Sequence, residues 1–237
     1  MKEFIRLWEG GPQYADAAHF PLSTDTVLLS DFASPAGQKK GIDLGSAAGI
    51  IPLLLLARNP RLQMTGIEIL PEASELSSEN LAVNGFGDSF TAVNGDIRNC
   101  RSLFPSGSFD FVISNPPYFA VRSGAVPPDA GRAGARGEGS CTMEELCAAA
   151  EYLTRTGGSV YLVHKPERLS ELLCCMTAHK IEPKRLRFSA NTAVSLPNLV
   201  FVEGRRGGKP GMKIEPLLIL RNADGTESDE YKRIYRR

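Results

Sequence analysis

From residue 41 onward, short apolar runs alternate with amphipathic stretches. Runs of four to eight apolar or β-branched residues bounded by turn residues predict strands, and apolar positions three and four apart predict helices. The predicted strands are GIDLG, MTGIEIL, FTAVNG, FDFVISN and GGSVYLVH, and the predicted helices are Ile50 to Arg58, Pro71 to Val83, Glu144 to Arg155 and Glu167 to Lys180.

Strands that are separated by helices imply right-handed crossovers and a parallel sheet. We therefore predict an α/β, Rossmann-like sandwich with a mostly parallel sheet. RLRFSA, LVFVEGR and EPLLILR follow without a helix between them, and they predict antiparallel β additions at the C-terminal edge. One domain is expected over 1–237, with an N-terminal segment (1–40), a doubly wound core (41–180) and a β-rich extension (181–237).

The composition is that of a globular protein, with 42% hydrophobic and 23% charged residues. The longest apolar run, Ile50 to Ala57, is too short to cross a membrane, and the first residues lack a signal-peptide pattern. The five cysteines form no C-x-x-C motif, which favours a reducing cytoplasm. Cys175 and His179 stand four apart on a predicted helix, but the spacing offers no further ligands, so no metal is predicted.

Charge is unevenly distributed although the net charge is zero. Residues 1–179 carry 14 Lys and Arg against 20 Asp and Glu, whereas residues 180–213 carry 8 against 2. Such a basic stretch is typical of a face that meets a polyanion, and a solvated basic rim is the alternative. Its members are Lys180, Lys184, Arg185, Arg187, Arg205, Arg206, Lys209 and Lys213.

In open parallel sheets the ligand lies beyond the carboxyl ends of the strands. The first predicted strand ends in the small-residue turn from Asp43 to Ile50, where the backbone can approach a ligand closely. The turn lacks the G-x-G-x-x-G spacing of dinucleotide binders. Glu68 follows the second strand and could accept hydrogen bonds from ribose hydroxyls. Asp96 follows the third strand, where it could accept from an adenine amine or cap a helix.

The fourth strand ends in Ser114-Asn115-Pro116-Pro117-Tyr118-Phe119. Consecutive prolines make a rigid turn that offers carbonyl acceptors but no N–H donors. An exocyclic amine such as that of adenine is a poor nucleophile, because its lone pair is delocalised into the ring. The Asn115 side-chain oxygen and the Pro116 carbonyl could hold its two hydrogens and localise that lone pair. Tyr118 could stack on the base.

With these motifs the chain resembles class I S-adenosylmethionine-dependent methyltransferases that carry the N-P-P-Y signature. It is most similar to the bacterial tRNA(Val) adenine-37 N6-methyltransferase family. The resemblance runs nearly end to end, and it includes STDTVLL at 23–29, Ala135-Arg136-x-Glu138, Cys141-Thr142, KRLRF and RRGGKPG.

The resemblance implies transfer of a methyl group from S-adenosylmethionine to the N6 amine of an adenine in tRNA. Asn115, Pro116, Pro117 and Tyr118 would be catalytic. Ser23, Thr24, Asp25, Asp43, Gly45, Ala47, Gly49, Glu68, Asp96, Ile97 and Asn115 would bind the cofactor. We expect a cytoplasmic protein that is favoured to be a monomer and acts on neither DNA nor membranes.

The segment from Phe119 to Cys141 contains five glycines and three arginines and is too long for a plain connection in a compact domain. It predicts a mobile lid beside the base pocket, with an inert loop as the alternative. Together with the basic stretch it would place two positive patches around one pocket. The residues expected to contact RNA are Arg122, Arg132, Arg136, Lys184, Arg185, Arg187, Arg205, Arg206 and Lys209.

Ala47 departs from the family, which usually has glycine at this position. We expect the φ angle of Ala47 to be negative, because alanine tolerates positive φ poorly. Two alternatives remain open. One is a methyltransferase acting on a glutamine of a translation factor, although only about 40 residues precede Asp43 and leave no room for the helical substrate domain of such enzymes. The other is a non-catalytic RNA-binding protein on the same fold.

Overall fold

A computed structural model of the protein describes residues 3–16, 22–35, 37–116 and 141–236. The strands are β1 (Ile5–Arg6), β2 (Gln13–Tyr14), β3 (Lys40–Leu44), β4 (Gln63–Glu68), β5 (Phe90–Asn94), β6 (Phe109–Ser114), β7 (Thr154–His164), β8 (Ile181–Ala190), β9 (Leu199–Arg206), β10 (Lys213–Ile214) and β11 (Leu218–Ile219). The α-helices are α1 (Thr24–Phe32), α2 (Ile50–Arg58), α3 (Pro71–Val83), α4 (Cys100–Leu103), α5 (Met143–Leu153), α6 (Leu169–Ala178) and α7 (Asp229–Tyr235). Short 3-10 turns lie at Gly87–Ser89, Ile97–Asn99 and Pro166–Arg168.

One nine-stranded sheet organises the fold, and β1 and β2 form a separate antiparallel pair. The strand order of the nine-stranded sheet is β10-β8-β9-β7-β6-β3-β4-β5, and β11 also pairs with β8. Strands β3 to β7 are mutually parallel where they pair, and β9 is antiparallel to both β7 and β8. The predicted α/β class, with its mostly parallel sheet, is therefore confirmed.

The C-terminal additions differ from the prediction in direction. Only β9 is reversed, because β10 and β11 both pair with β8 in parallel. The physical reason is that α6 crosses over between β7 and β8, so these two strands run the same way with β9 inserted between them. The chain then leaves β9 and returns on the far side of β8.

Helices cover both faces of the sheet. Buried side chains of α1, α2, α3 and α7 form one apolar cluster, and those of α4, α5 and α6 form a second. Local signals explain where these helices begin, because Pro71 occupies the first turn of α3 and Thr142 forms a capping box with Glu145 at the start of α5. Among the described residues, no helix is both long and apolar enough to span a bilayer.

Candidate active site

Four of the predicted site residues lie at the carboxyl ends of four neighbouring strands. Their order along the sheet edge is Asn115 after β6, Asp43 near the end of β3, Glu68 at the end of β4 and Asp96 after β5. Because adjacent strands are about 4.8 Å apart, this row spans roughly 14 Å. The structure therefore brings these side chains together along one edge, in a line that suits an elongated ligand.

A tight turn joins β3 to α2 at the centre of this row. Gly45, Ala47 and Gly49 all have positive φ angles, of 75°, 45° and 81° respectively. The backbone N–H groups of Gly45 and Ser46 donate to the carbonyl oxygen of Ile67, which fastens the turn to β4. A Cβ at Gly49 would lie 2.9 Å from the Cβ of Ser77, so glycine lets α2 approach α3.

The φ angle of Ala47 contradicts the expectation from the sequence. It is +45°, in the left-handed region, instead of negative. Its backbone N–H donates to Oε2 of Glu68 at 2.9 Å, and this hydrogen bond to a buried carboxylate holds the strained conformation. Alanine is therefore accommodated in the turn at a cost in backbone energy.

Replacing Ala47 with glycine is expected to stabilise the protein by about 0.5–1 kcal/mol. Left-handed backbone costs an alanine about 1–2 kcal/mol, and the greater freedom of glycine in the unfolded chain offsets part of the gain. Urea unfolding would measure the difference. The control is Ala82→Gly in α3, where the same change should destabilise. If Ala47→Gly lowered the free energy of unfolding, the positive φ angle of Ala47 would not be a source of strain.

Asp43 is a buried carboxylate that lacks a partner. It is 1% exposed, and within the described part of the chain neither of its carboxylate oxygens, nor the hydroxyl of buried Ser46, has a hydrogen-bond partner. Burial, and secondly the charge of Glu68, raises the pKa of Asp43 well above its usual value. Beside these atoms, a Cβ at Gly45 would meet no atom within 4 Å. The arrangement fits a ligand that inserts a positively charged donor group.

The two other carboxylates of the row are already hydrogen-bonded. Glu68 is 5% exposed, and its two oxygens accept from the backbone N–H groups of Ala47 and Leu70. Each oxygen keeps a second lone pair for a ligand hydroxyl. Asp96 caps the turn at 97–99 and pairs with Arg98, whose hydrogen bonds hold the pKa of Asp96 below its usual range. The capping role of Asp96 is thus present in the structure.

Asn115 is held at the other end of the row by α1. Its side-chain Nδ2 donates to Oγ1 of Thr26 at 2.9 Å, and the Thr26 hydroxyl also contacts Oγ of Ser23, the N-cap of α1. An amide nitrogen bound in this way leaves the amide oxygen on the opposite side as an acceptor. Pro116 is buried, whereas Pro117 and Tyr118 lie outside the described residues.

The basic residues of the C-terminal region lie elsewhere than expected. Arg205 in β9 pairs with Ser159 of β7, which pairs with Phe111 of β6, which in turn pairs with Gly41 of β3. Arg205 is therefore level with the amino end of β3. Asn115 lies beyond the carboxyl end of β6, about four residues or 13 Å further along the strands. Arg205 and Arg206 therefore do not surround the same pocket as the N-P-P-Y turn, because the reversed β9 carries them toward the opposite edge.

Several of these cations are engaged within the protein. Arg185 pairs with Glu203 at 2.7 Å and with Glu215 at 3.2 Å, and its guanidinium packs over Phe32. The others are listed here with their partners: Arg187 with Glu230 at 2.8 Å, Arg206 with Glu151 at 2.7 Å, and Lys184 with the carbonyl oxygens of Lys209 and Gly211. Arg205 and Lys209 are exposed, and neither has an ion pair among the described residues.

Arg185→Ala is expected to destabilise the protein by about 3 kcal/mol. It would leave the half-buried Glu203 and Glu215 without their cation and remove the donor to the Phe32 carbonyl oxygen. Thermal unfolding would measure the loss, and Lys209→Ala, at an exposed position, should change stability by less than about 0.5 kcal/mol. An equally small loss for Arg185→Ala would show that its contacts contribute little.

Sequence patterns did not identify two polar residues that shape the site. Thr26 fixes Asn115, although the expectation stopped one residue earlier, at Asp25. Asn80, fully buried in α3, donates to the carbonyl oxygens of Ala48 and Ala15 and accepts from the N–H of Ala15. Asn80 gave no local signal. Arg122, Arg132 and Arg136 lie outside the described residues, as do residues 119–140 of the expected lid.

Comparison with known proteins identifies the family of the chain. The family model described as methyltransferase small domain matches residues 23–174. A protein of Porphyromonas gingivalis named tRNA1(Val) (adenine(37)-N6)-methyltransferase is 31% identical over 221 residues, which cover 90% of this chain and 86% of that protein.

Solved structures show the same fold. A predicted O-methyltransferase from Agrobacterium tumefaciens superposes with a TM-score of 0.71 at 17% identity, covering 90% of this chain and 95% of that chain. Geranyl diphosphate C-methyltransferase from Streptomyces coelicolor, solved with Mg²⁺, geranyl diphosphate and S-adenosyl-L-homocysteine, has a TM-score of 0.56 at 11% identity, covering 76% and 79% of the two chains. The chain therefore belongs to the methyltransferase small domain family and is an S-adenosylmethionine-dependent methyltransferase.

Proposed function

We propose that the protein methylates the exocyclic N6 amine of an adenine in tRNA, at position 37 of tRNA(Val). The observation that carries the proposal is the hydrogen bond from Asn115 Nδ2 to Thr26 Oγ1, because it fixes the amide so that its oxygen, on the opposite side, can accept from an amine. The relative from Porphyromonas gingivalis carries this activity in its name, and the likeness extends over 90% of this chain.

The order of side chains along the sheet edge supports a placement for the cofactor. Asp96 and Ile97 would bind the adenine of S-adenosylmethionine, Glu68 its ribose hydroxyls, and Asp43 its ammonium group. The two unpartnered oxygens of Asp43 and the open space at Gly45 are what such a placement needs. When bound, the cofactor supplies an electrophilic methyl group on a sulfonium. Ser23, Thr24 and Asp25, at the start of α1, would close the pocket on the side of Asn115.

Asn115 and Pro116 would act on the nucleophile. Their two oxygens would accept the two N–H hydrogens of the adenine amine, so that the nitrogen becomes pyramidal and its lone pair, no longer delocalised into the ring, points along the line of transfer. Pro117 and Tyr118 would complete the turn and stack on the base. No strong base is needed in advance, because the amine becomes acidic once it is alkylated and then gives its proton to solvent.

Bulk tRNA and labelled S-adenosylmethionine provide the test of the substrate. After digestion to nucleosides, label is expected in N6-methyladenosine, and a tRNA(Val) transcript with guanosine at position 37 should receive none. Label at another adenine would overturn the position. Cofactor binding without any labelled nucleoside would overturn the RNA substrate and favour a protein amide, whereas absence of cofactor binding would favour the non-catalytic alternative.

We further propose that Arg205 and Lys209 contact the tRNA body, at a distance from the modified base. Arg205→Glu should weaken tRNA binding and reduce the slope of log K against log salt by about one, because one phosphate contact is lost. The Arg205→Glu protein should methylate an isolated anticodon stem-loop at the same rate as the parental protein. Arg61→Glu, the same charge change at an exposed position beside β4, is the control. An equal loss of tRNA affinity in both variants would show that only the net charge matters and would contradict the contact.

A further inference from the structure

A cluster of metal-ligating side chains lies between α5 and α6, outside the row of site residues. One ligand atom each from Glu144, Cys175 and His179 lies within 4.8 Å of the others. The Glu144 carboxylate joins the other two groups, because Oε1 is 2.6 Å from Nε2 of His179 and Oε2 accepts from Sγ of Cys175 at 3.3 Å. Thiolate, imidazole and carboxylate are the three ligand types that Zn²⁺ takes in proteins.

Two helices contribute these donors. Glu144 lies in the first turn of α5, and Cys175 and His179 lie four residues apart at the C-terminal end of α6. The spacing of Cys175 and His179 along the chain could not show this cluster, because the third donor comes from a different helix.

We propose that Glu144, Cys175 and His179 bind one Zn²⁺ ion, with water as the fourth ligand. In a tetrahedral zinc site with bonds of about 2.0–2.3 Å, two ligand atoms lie about 3.3–3.8 Å apart. Because the three ligand atoms lie within 4.8 Å of one another, binding needs side-chain adjustments of the order of 1 Å. The Glu144 side chain is 70% exposed and that of His179 is 21% exposed, which gives the ion a route from solvent to the buried sulfur atom.

Protons and charge balance when the ion binds. The Cys175 thiol would release its proton to solvent and its sulfur would bind as a thiolate, which the dication compensates. The ion would tie the first turn of α5 to the C-terminal end of α6. No oxidation or reduction takes part.

Cobalt titration of the whole protein tests the site. Protein stripped with a chelator and kept reduced with a phosphine should bind one equivalent of Co²⁺, with a sulfur-to-cobalt charge-transfer band in the near ultraviolet and tetrahedral bands in the visible. One equivalent of Zn²⁺ should remove both sets of bands. Absence of a sulfur-to-cobalt band at tenfold excess of Co²⁺ would overturn the proposal.

Matched variants assign the ligands. Cys175→Ser should abolish the charge-transfer band, and Cys174→Ser, at the adjacent exposed cysteine, should retain it. His179→Gln, at the partly exposed C-terminal end of α6, should weaken Co²⁺ affinity at least tenfold, which keeps the test decisive if Cys175→Ser does not fold. Equal loss of the band in Cys174→Ser and Cys175→Ser, or unchanged affinity in His179→Gln, would contradict the site.

Discussion

Substitution of Asn115 by alanine is expected to lower kcat for adenine methylation by about 10²–10³-fold, with a much smaller change in cofactor affinity. The expected size follows from the loss of a preorganised acceptor that acts on charge developing in the transition state. Single-turnover assays with labelled cofactor would measure kcat, and calorimetry would measure cofactor binding. A variant that keeps more than half of the parental kcat would contradict the role of the amide.

Thr26 provides the matched control for this prediction. It is a positioning residue, since it contacts the Asn115 amide nitrogen at 2.9 Å and would not touch the base. Thr26→Val keeps the shape but removes the acceptor, so kcat should fall about fivefold to tenfold, as for one lost hydrogen bond, with KM for tRNA unchanged. Thr26→Ser keeps the hydroxyl and should retain kcat. Equal activity of the two variants would show that the amide is oriented by other contacts.

Replacing Asp43 with asparagine should have two opposite effects. Cofactor affinity should fall about 10-fold to 100-fold, because a charge-assisted hydrogen bond to the ligand ammonium is lost. The cofactor-free protein should become more stable, by about 1–3 kcal/mol, because a buried charge without a partner is removed. Calorimetric titration and thermal unfolding would measure the two effects.

The gain in stability should depend on pH with a definite sign. Burial and Glu68 raise the pKa of Asp43 in the folded protein, so the folded state binds this proton more tightly than the unfolded chain does. The ionised carboxyl therefore destabilises the fold at pH above its folded pKa, and the penalty shrinks as pH falls through that pKa toward the ordinary value. The gain of Asp43→Asn should shrink in the same window. Asp88→Asn, at an exposed position, is the control, and a gain of equal size there would contradict the assignment.

Much of the fold followed from local patterns. The bounds of α2 and α3 are those predicted, and the strands from β3 to β7 overlap the expected segments, because apolar period and proline or glycine punctuation act within a few residues. The directions of β10 and β11 were not predictable in this way. They depend on which edge the chain reaches after β9, which is a long-range choice.

The candidate site shows the same division. The positions of Asp43, Glu68, Asp96 and Asn115 followed from the strand ends, since parallel strands finish at one edge. The positive φ of Ala47 did not, because it is set by contacts with β4. Nor did the ion pairs of Arg185 or the grouping of Glu144 with Cys175, which join residues about 20 to 30 positions apart.

Asn80 links the N-terminal region to the turn between β3 and α2, so ligand binding at that turn would also affect the N-terminal region. The Asn80 side chain hydrogen-bonds with the backbone N–H and the carbonyl oxygen of Ala15. It also donates to the carbonyl oxygen of Ala48 in the turn between β3 and α2. A ligand that steadies this turn would therefore also steady the strand that precedes α1. Protease resistance around Tyr14 and Ala15 should consequently rise when S-adenosylmethionine is added, and Asn80→Ala should uncouple the two.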